Sequence, residues 1–448
     1  MGRFLVIKNP GIGDMKVMLG TVEVAGFVAG LTSGLRSIGV SAESYLSASH
    51  PFGYDGADDK QPLVVRIWRY LGSFRAKHAS MPLPLKGMVW GLQFLLSWLV
   101  LFYSAFIFDA YIFVYGKTIT NTRFELFLLR LMNKKIIFVY LGSDCRPPYL
   151  SGGSISGVPS DQAAARAVRA SEKVSKKIWF QERKADYVVN APGTGQFHRR
   201  DFVNWFSMGV PVSRANHTSA TDVAQTARAV RILHSPSKPL IKGSDEIRAV
   251  VSRLQNKGYL IDFIELKGVP NSKVREELAR CDFVIDQLYS DSPMAFFATE
   301  AAHFGKPTVV AGYFSECASD YIASDDMPPS VYVMPDKLEE AVANLIDDHK
   351  YRTELGLAAR DFIHSRWDNR LVAQRYLQLL NGDVPASWLC SAKELSYIHG
   401  CGVDQDQIVL VGRYIVDHFG WPAFRLEGKS ELKKQLAKLL NQPASPDA

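Results

Sequence analysis

Four short stretches of this chain combine residue types that can hold an anion or move a proton. The first is Gly11-Ile-Gly13. Glycines let backbone N–H groups approach a phosphate where a helix starts. The spacing is not G-x-G-x-x-G and no Lys-Ser/Thr follows, so a tight turn between strand and helix explains it equally well. The second is His234–Gly243, which carries Ser235, Lys238 and Lys242. Lys242 is a mobile point charge suited to a diphosphate. A solvated loop lysine is the plainer alternative, but a cation just before a helix N-terminus opposes the dipole and calls for an anion nearby. The third is Asp291–Pro307. Ser292 is predicted as an N-cap and Pro293 as the first helical residue, so that helix end would present free N–H groups to an anion. Glu300, seven residues after Pro293 and on the same face, sits among Ala and Phe. An unpaired carboxylate there is costly, and either a ribose diol or a buried ion pair would satisfy it. The fourth is Gly142-Ser-Asp144-Cys-Arg146, at the end of an apolar run. Asp144 can bind sugar hydroxyls or assist proton transfer, or it can cap a helix or pair with Arg146. The one D-x-D, Asp404-Gln-Asp406, reads as a turn between a Gly-rich bend and a strand rather than as a metal site.

Strands alternating with helices must position these residues. Arg3–Lys8 is expected as a buried strand, followed by the glycine loop, a helix from Met15 to about Ile38, and a strand at Ser41–Ser47. Lys135–Tyr140 is a strand that leads into Asp144. Ser160–Lys184 is a long basic helix and Asp186–Asn190 a strand. After a polar linker, Ser213–Gln225, the pattern resumes. It gives strands at Val230–His234, Ile261–Leu266, Phe283–Leu288, Thr308–Ala311 and Ser330–Met334. The helices are expected at Ser244–Asn256, Asn271–Arg280, Met294–Phe304, 336–349 and 351–380. This alternation means parallel sheets covered on both faces, with ligands at the C-terminal strand edges. The domains expected are 1–212, 213–382 and a C-terminal extension, 383–448.

The 448 residues carry a net charge of +7. Split near residue 215, the first part has 26 Lys and Arg against 14 Asp and Glu, or +12, and the rest has 26 against 31, or −5. A basic half suggests an anionic partner. Cations are not interleaved with aromatics in any recognisable nucleic-acid module, so no nucleic acid is expected. The five cysteines form no C-x-x-C, which favours a reducing compartment and argues against structural zinc. The apolar run Phe4–Ile7 is too short for a signal peptide, and Val6 does not fit a myristoylation signal, so a cytoplasmic start is expected. Met88–Phe108 is 21 residues without a charge, behind Arg66, Arg69, Arg75, Lys77 and Lys86. It reads as a buried helix feeding the strand Ala110–Tyr115, or as an interfacial helix on an anionic membrane. By length it could also span one, which fits less well because α/β strands continue on both sides.

RILHSPSKPLIKGSDEI and DFVIDQLYSDSPMAFFATEAAHFGKPTVV resemble the donor half of the group 1, family-four retaining glycosyltransferases. The resemblance extends over about residues 3–380 and is strongest over 230–312. It implies the GT-B fold: two Rossmann-like domains facing a central cleft, here followed by the C-terminal extension. It also implies a nucleotide-sugar donor held by the second domain and a glycan or lipid-linked acceptor held by the first. Lys242 matches the family lysine on the donor diphosphate. Glu300 matches the second of two glutamates seven residues apart, which usually binds the ribose. Ser292 stands where the first glutamate is expected, with Asp291 beside it. Ser237 stands where an arginine is expected, with Lys238 beside it, and Leu141 where a histidine is often found.

The resemblance implies front-face displacement with retention, with no protein nucleophile and no metal or other cofactor. Lys242, Glu300 and Asp144 are the expected catalytic residues. Gly11, Gly13, Ser235, Lys238, Ser292, Pro293, Met294 and Ala295 complete the expected donor site with Lys242 and Glu300. The expected role is cell-surface polysaccharide synthesis on the cytoplasmic side of a membrane. A nucleotide-sugar 2-epimerase on the same fold, or a non-catalytic binding subunit, are the alternatives.

Overall fold

A computed structural model describes residues 15–49, 61–78, 80–212 and 228–443. The expected strand at Arg3–Lys8, the glycines Gly11 and Gly13, and the whole linker at Ser213–Gln225 lie outside these residues. The protein is α/β with parallel sheets, the class expected from the strand–helix alternation. Two compact units form. One comprises the chain up to Val139, Lys184–Tyr187 and Asn369–Val384, and the other the remainder.

The first unit holds β1 (Lys16–Thr21), α1 (Phe27–Ser37), β2 (Ser41–Leu46), α2 (Leu63–Lys77), α3 (Leu83–Ile107), β3 (Ala110–Val114), α4 (Arg123–Leu131) and β4 (Lys135–Val139). Its parallel strands run in the order β2-β1-β3-β4. The expected helix over Met15–Ile38 is corrected here: its first third is strand β1, and α1 begins only at Phe27. A short apolar run has no periodicity that separates strand from helix. Between them the Glu23 carboxylate accepts from the N–H groups of Val28 and Ala29, which satisfies the open start of α1. Buried Glu125 of α4 satisfies the preceding loop, accepting from Ile119 N, Thr120 N and the hydroxyls of Thr118 and Thr120.

The second unit follows with α5 (Gly152–Ile155), α6 (Ser160–Lys184), β5 (Tyr187–Asn190), β6 (Phe202–Asn204) and α7 (Trp205–Met208). Next come β7 (Val230–His234), α8 (Pro239–Lys242), α9 (Ser244–Asn256), β8 (Ile261–Glu265), α10 (Asn271–Arg280), β9 (Phe283–Ile285), α11 (Phe296–His303) and β10 (Thr308–Ala311). Then α12 (Ala318–Tyr321), β11 (Val331–Val333), α13 (Leu338–Asp347) and α14 (His349–Arg366) complete the run. The single helix expected over 351–380 is two helices. It breaks at Trp367, whose ring meets Trp205 at 5.7 Å, and α15 (Asn369–Asn381) belongs to the first unit, packed on α1. A Cβ at Gly34 would lie 2.1 Å from the Asn369 carbonyl, so α1 approaches the start of α15 too closely for any side chain there.

A five-stranded parallel sheet, β8-β7-β9-β10-β11, is the core of the second unit. Ile232, Phe283, Ile285 and Val309 pack on one face against Ile247, Val251 and Val342. The opposite face is covered by Val274, Leu278 and Ala301. The extension belongs to this unit from Pro385 onward. Its β12 (Leu389–Cys390) pairs antiparallel with β6, and α16 (Gln405–Phe419) and α17 (Ser430–Leu440) follow. Asp404 is the N-cap of α16, accepting from Gln407 N, so the D-x-D stretch opens a helix and is neither a bare turn nor followed by a strand.

Candidate functional site

The order of the five-stranded sheet locates a crevice. From β7 the chain moves outward to β8, then crosses back to β9 on the other side of β7. The loops after β7 and β9 therefore diverge, and such a switch point opens a ligand crevice at the carboxyl ends of the strands. His234 ends β7 and is fully buried. Its Nδ1 lies 2.8 Å from the Ile285 carbonyl and its Nε2 2.8 Å from Ser244 Oγ. A carbonyl only accepts, so Nδ1 carries the proton and Nε2 accepts from the serine. Burial, the largest cause, holds its pKa below the usual histidine value. The ring is thus a neutral strut that ties the end of β7 to β9 and to the start of α9.

Lys242 lies at this crevice. It is the last residue of α8, and its Nζ donates to Asp286 Oδ1 at 2.7 Å. Asp286 follows β9 directly and is 1% exposed, and its second oxygen is buried without a partner. The plainer alternative of a solvated loop lysine is therefore excluded. The anion that the helix-start argument called for is Asp286. An ammonium has three donors, and Asp286 takes one of them. Gly243 makes the approach possible. It adopts φ 67°, and a Cβ there would lie 2.6 Å from Leu288 Cβ. Of the neighbours expected to share the donor, Ser235 makes only a long contact to Leu266 O, 3.5 Å, and Lys238 opens α8 without a side-chain cap.

The loop after β9 departs from expectation. Ser292 is not an N-cap and Pro293 is not helical; α11 starts at Phe296, with Ala295 at the N-cap. The cause is local. Ser290 Oγ donates to Ser292 O and accepts from Ser292 N, closing a turn that competes with the helix. Ser330 Oγ then holds Pro293 O, and Met294 is buried in the core. Ser292 Oγ is left buried and without a partner. Glu300 is the fifth residue of α11 and is half-buried. Both its oxygens accept from Asn271 Nδ2, at 3.0 and 3.2 Å.

Asp144 lies in the same unit, on the loop after Tyr140. Its Oδ1 accepts from Leu141 N at 3.0 Å, and its Oδ2 is buried with no partner. Burial pushes its pKa up from 3.8 to about 6, against the hydrogen bond from Leu141 and the charge of Lys177. The anticipated pair with Arg146 does not form. Arg146 Nε donates instead to Asp291 Oδ2 at 2.7 Å, and the Nη2 donates to the same oxygen. This pair is nearly buried on both sides and ties the Asp144 loop to the loop after β9. It also occupies Asp291, the carboxylate nearest the position where a first glutamate was expected. The neighbouring Cys145 thiol is held well above its usual pKa by burial, which leaves it a poor nucleophile. Its surroundings are Asn190 and His198, whose Nδ1 faces Glu182 at 3.3 Å.

The extension steadies these loops. Gly402 N donates to Tyr289 O, Gly152 N donates to Cys401 O, and Tyr149 OH donates to Phe424 O at 3.0 Å. Asp286 and the extension are the contributors that the motif reading did not place at the site, and Arg146 takes Asp291 as its partner in place of Asp144. Asp286 was open to discovery from its position just past a strand at a sheet edge. Among the described residues, no group of three or more His, Cys, Asp or Glu side chains converges as ligands for a metal ion.

No family model and no curated protein matches the chain. Among solved structures it is similar to HepE of Anabaena in complex with UDP, at 13% identity and a TM-score of 0.41, over 82% of this chain and 100% of that one. It is similar to the catalytic domain of starch synthase IV from Arabidopsis thaliana bound to ADP and acarbose, at 12% identity and a TM-score of 0.46, over 82% and 99%. TarM matches at 14% identity and a TM-score of 0.42, over 64% of this chain and 58% of that one.

Proposed function

We propose that the chain is a GT-B glycosyltransferase that moves a sugar, with retention, from a nucleotide-sugar donor to a glycan or lipid-linked acceptor. One observation carries the reading. At the switch point of a parallel sheet, where nucleotides bind, Lys242 is held by Asp286 just past β9, and the loop after β9 carries the partnerless Ser292 hydroxyl. The remaining Lys242 donors reach the diphosphate while Asp286 holds the side chain in place. Glu300 accepts from the ribose diol in the place of Asn271. As the sugar–phosphate bond breaks, positive charge grows on the sugar and negative charge on the leaving diphosphate. Lys242 stabilises that developing charge, so removing it lowers the rate more than the donor affinity. Asp144, ionised above its pKa of about 6, accepts hydrogen bonds from sugar hydroxyls. The reaction needs no protein nucleophile and no metal. The work is proposed to take place in the cytoplasm, in cell-surface polysaccharide synthesis.

A second reading has its own observation. Lys242 is paired with Asp286 and Asp291 with Arg146, so both charges nearest the expected donor are engaged inside the protein. A subunit that binds a nucleotide sugar without turnover would tolerate that. Release of free nucleotide from a stabilising donor in the presence of acceptor separates the two: turnover supports the transferase, and binding with none supports the subunit.

A further inference from the structure

We infer that α3 and α4 form a face on which the protein lies flat on an anionic membrane. This inference stands independently of the sugar-transfer reading, because it rests on the first unit alone.

Helix α3 has two unlike sides. Val89, Gln93, Ser97, Val100 and Ser104 are buried. About 140° around the helix, Met88, Leu92, Leu95, Leu99, Phe102 and Phe106 are exposed. That stripe continues for about 27 Å, from the 1.5 Å rise per residue. Only 33% of the most apolar window of α3 is buried, so the helix is not a core helix. Helix α4 extends the surface. Trp98 of α3 meets Phe124 of α4 at 5.8 Å, and Phe127 and Leu131 of α4 are also exposed. An apolar surface of this extent marks an interaction site on a soluble fold.

The choice among occupants follows from the buried side and from charge. The 25 residues of α3 could cross a bilayer by length. Its polar stripe is already engaged, however. Gln93 Nε2 donates to Ser47 O at 3.1 Å, and Ser104 Oγ accepts from Tyr111 OH at 3.3 Å. Gly72 of α2 comes so close that a Cβ would lie 2.5 Å from Gln93 Nε2. Crossing a bilayer would tear these groups from the unit and leave them in hydrocarbon, which is costly. Lying flat keeps them and covers only the exposed stripe. Between Gln61 and Phe108 there is no acidic residue, while Arg66, Arg69, Arg75, Lys77 and Lys86 all fall there. Exposed Tyr103, about 60° around from the centre of the stripe, supplies a ring with a polar tip that suits the headgroup level. A segment that joins these cations to an apolar stripe and holds no acidic residue fits an anionic lipid surface better than a second basic copy of itself.

The test is co-flotation of the full chain with vesicles of phosphatidylcholine alone or of equimolar phosphatidylcholine and phosphatidylglycerol. The protein is expected to float with the anionic vesicles and to be removed by alkaline carbonate. Leu95→Asp with Leu99→Asp lowers partitioning by about tenfold or more. Both side chains are exposed, and an unchanged circular dichroism spectrum checks that the fold persists. Arg66→Gln or Lys77→Gln lowers binding to the anionic vesicles by about fivefold each and leaves the weaker binding to phosphatidylcholine in place. Absence of flotation overturns the inference. So does carbonate-resistant binding, which means a span, or a dimer in sedimentation that the two aspartates dissociate, which means a second copy covers the face.

Discussion

Asp144 offers a prediction that can be worked from its surroundings. One carboxylate oxygen accepts from Leu141 N and the other is buried without a partner. Burial raises the pKa from 3.8 to about 6. Folding therefore favours the protonated form, and between about pH 4 and pH 6 the native state binds more protons than the unfolded chain. Stability falls as pH rises through that window. The shift of about 2 units amounts to about 3 kcal/mol at neutral pH, at 1.36 kcal/mol per unit. Asp144→Asn has the same shape, keeps the Oδ1 acceptor and carries no charge. It should melt above the unmodified protein at pH 7 by roughly 5–10 °C. The difference should shrink toward zero near pH 4, where both forms are neutral at this position. Differential scanning calorimetry of both proteins across this range isolates the group, because all other titrations are shared. A melting difference that is flat with pH, or that grows toward acid, refutes the reasoning.

Two other substitutions test the framework of the site. Arg146→Ala and Asp291→Ala each strand a nearly buried charge and should each cost about 3–5 kcal/mol. The double variant should cost clearly less than their sum, read as a coupling energy in a denaturation cycle. Gly243→Ala places a Cβ against Leu288 at a left-handed position, so it should cost about 2–4 kcal/mol and lower nucleotide-induced thermal stabilisation by shifting Lys242.

Much of the second unit was legible because its punctuation is local. β7, α9, α10 and β10 have the expected ends, since apolar runs there meet caps, prolines or glycines that act within a few residues. The failures occurred where a distant or competing partner decides. Ser292 looked like an N-cap until Ser290 captured its N–H. The helix over 351–380 looked continuous, but Trp367 turns inward to Trp205 at its break. Lys242 and Glu300 stand out in the sequence as candidates by type and spacing. Their partners stand out less. Asp286 is 44 residues from Lys242, and Asp291 is 145 residues from Arg146, distances at which one sequence carries no pairing signal. The charge-free run at 88–108 left buried and interfacial readings open, since composition does not show which side of a helix is covered.

The central claim is that Lys242 holds the diphosphate of a nucleotide sugar at the switch point of the second unit. Thermal shift of the unmodified chain and of Lys242→Ala against UDP-, GDP-, dTDP- and ADP-sugars tests it most directly. One donor should stabilise the unmodified chain by about 2.7 kcal/mol at a hundredfold excess over its Kd, and Lys242→Ala should lose most of that stabilisation. A chain that no nucleotide sugar stabilises, or a Lys242→Ala variant stabilised as well as the original, contradicts it.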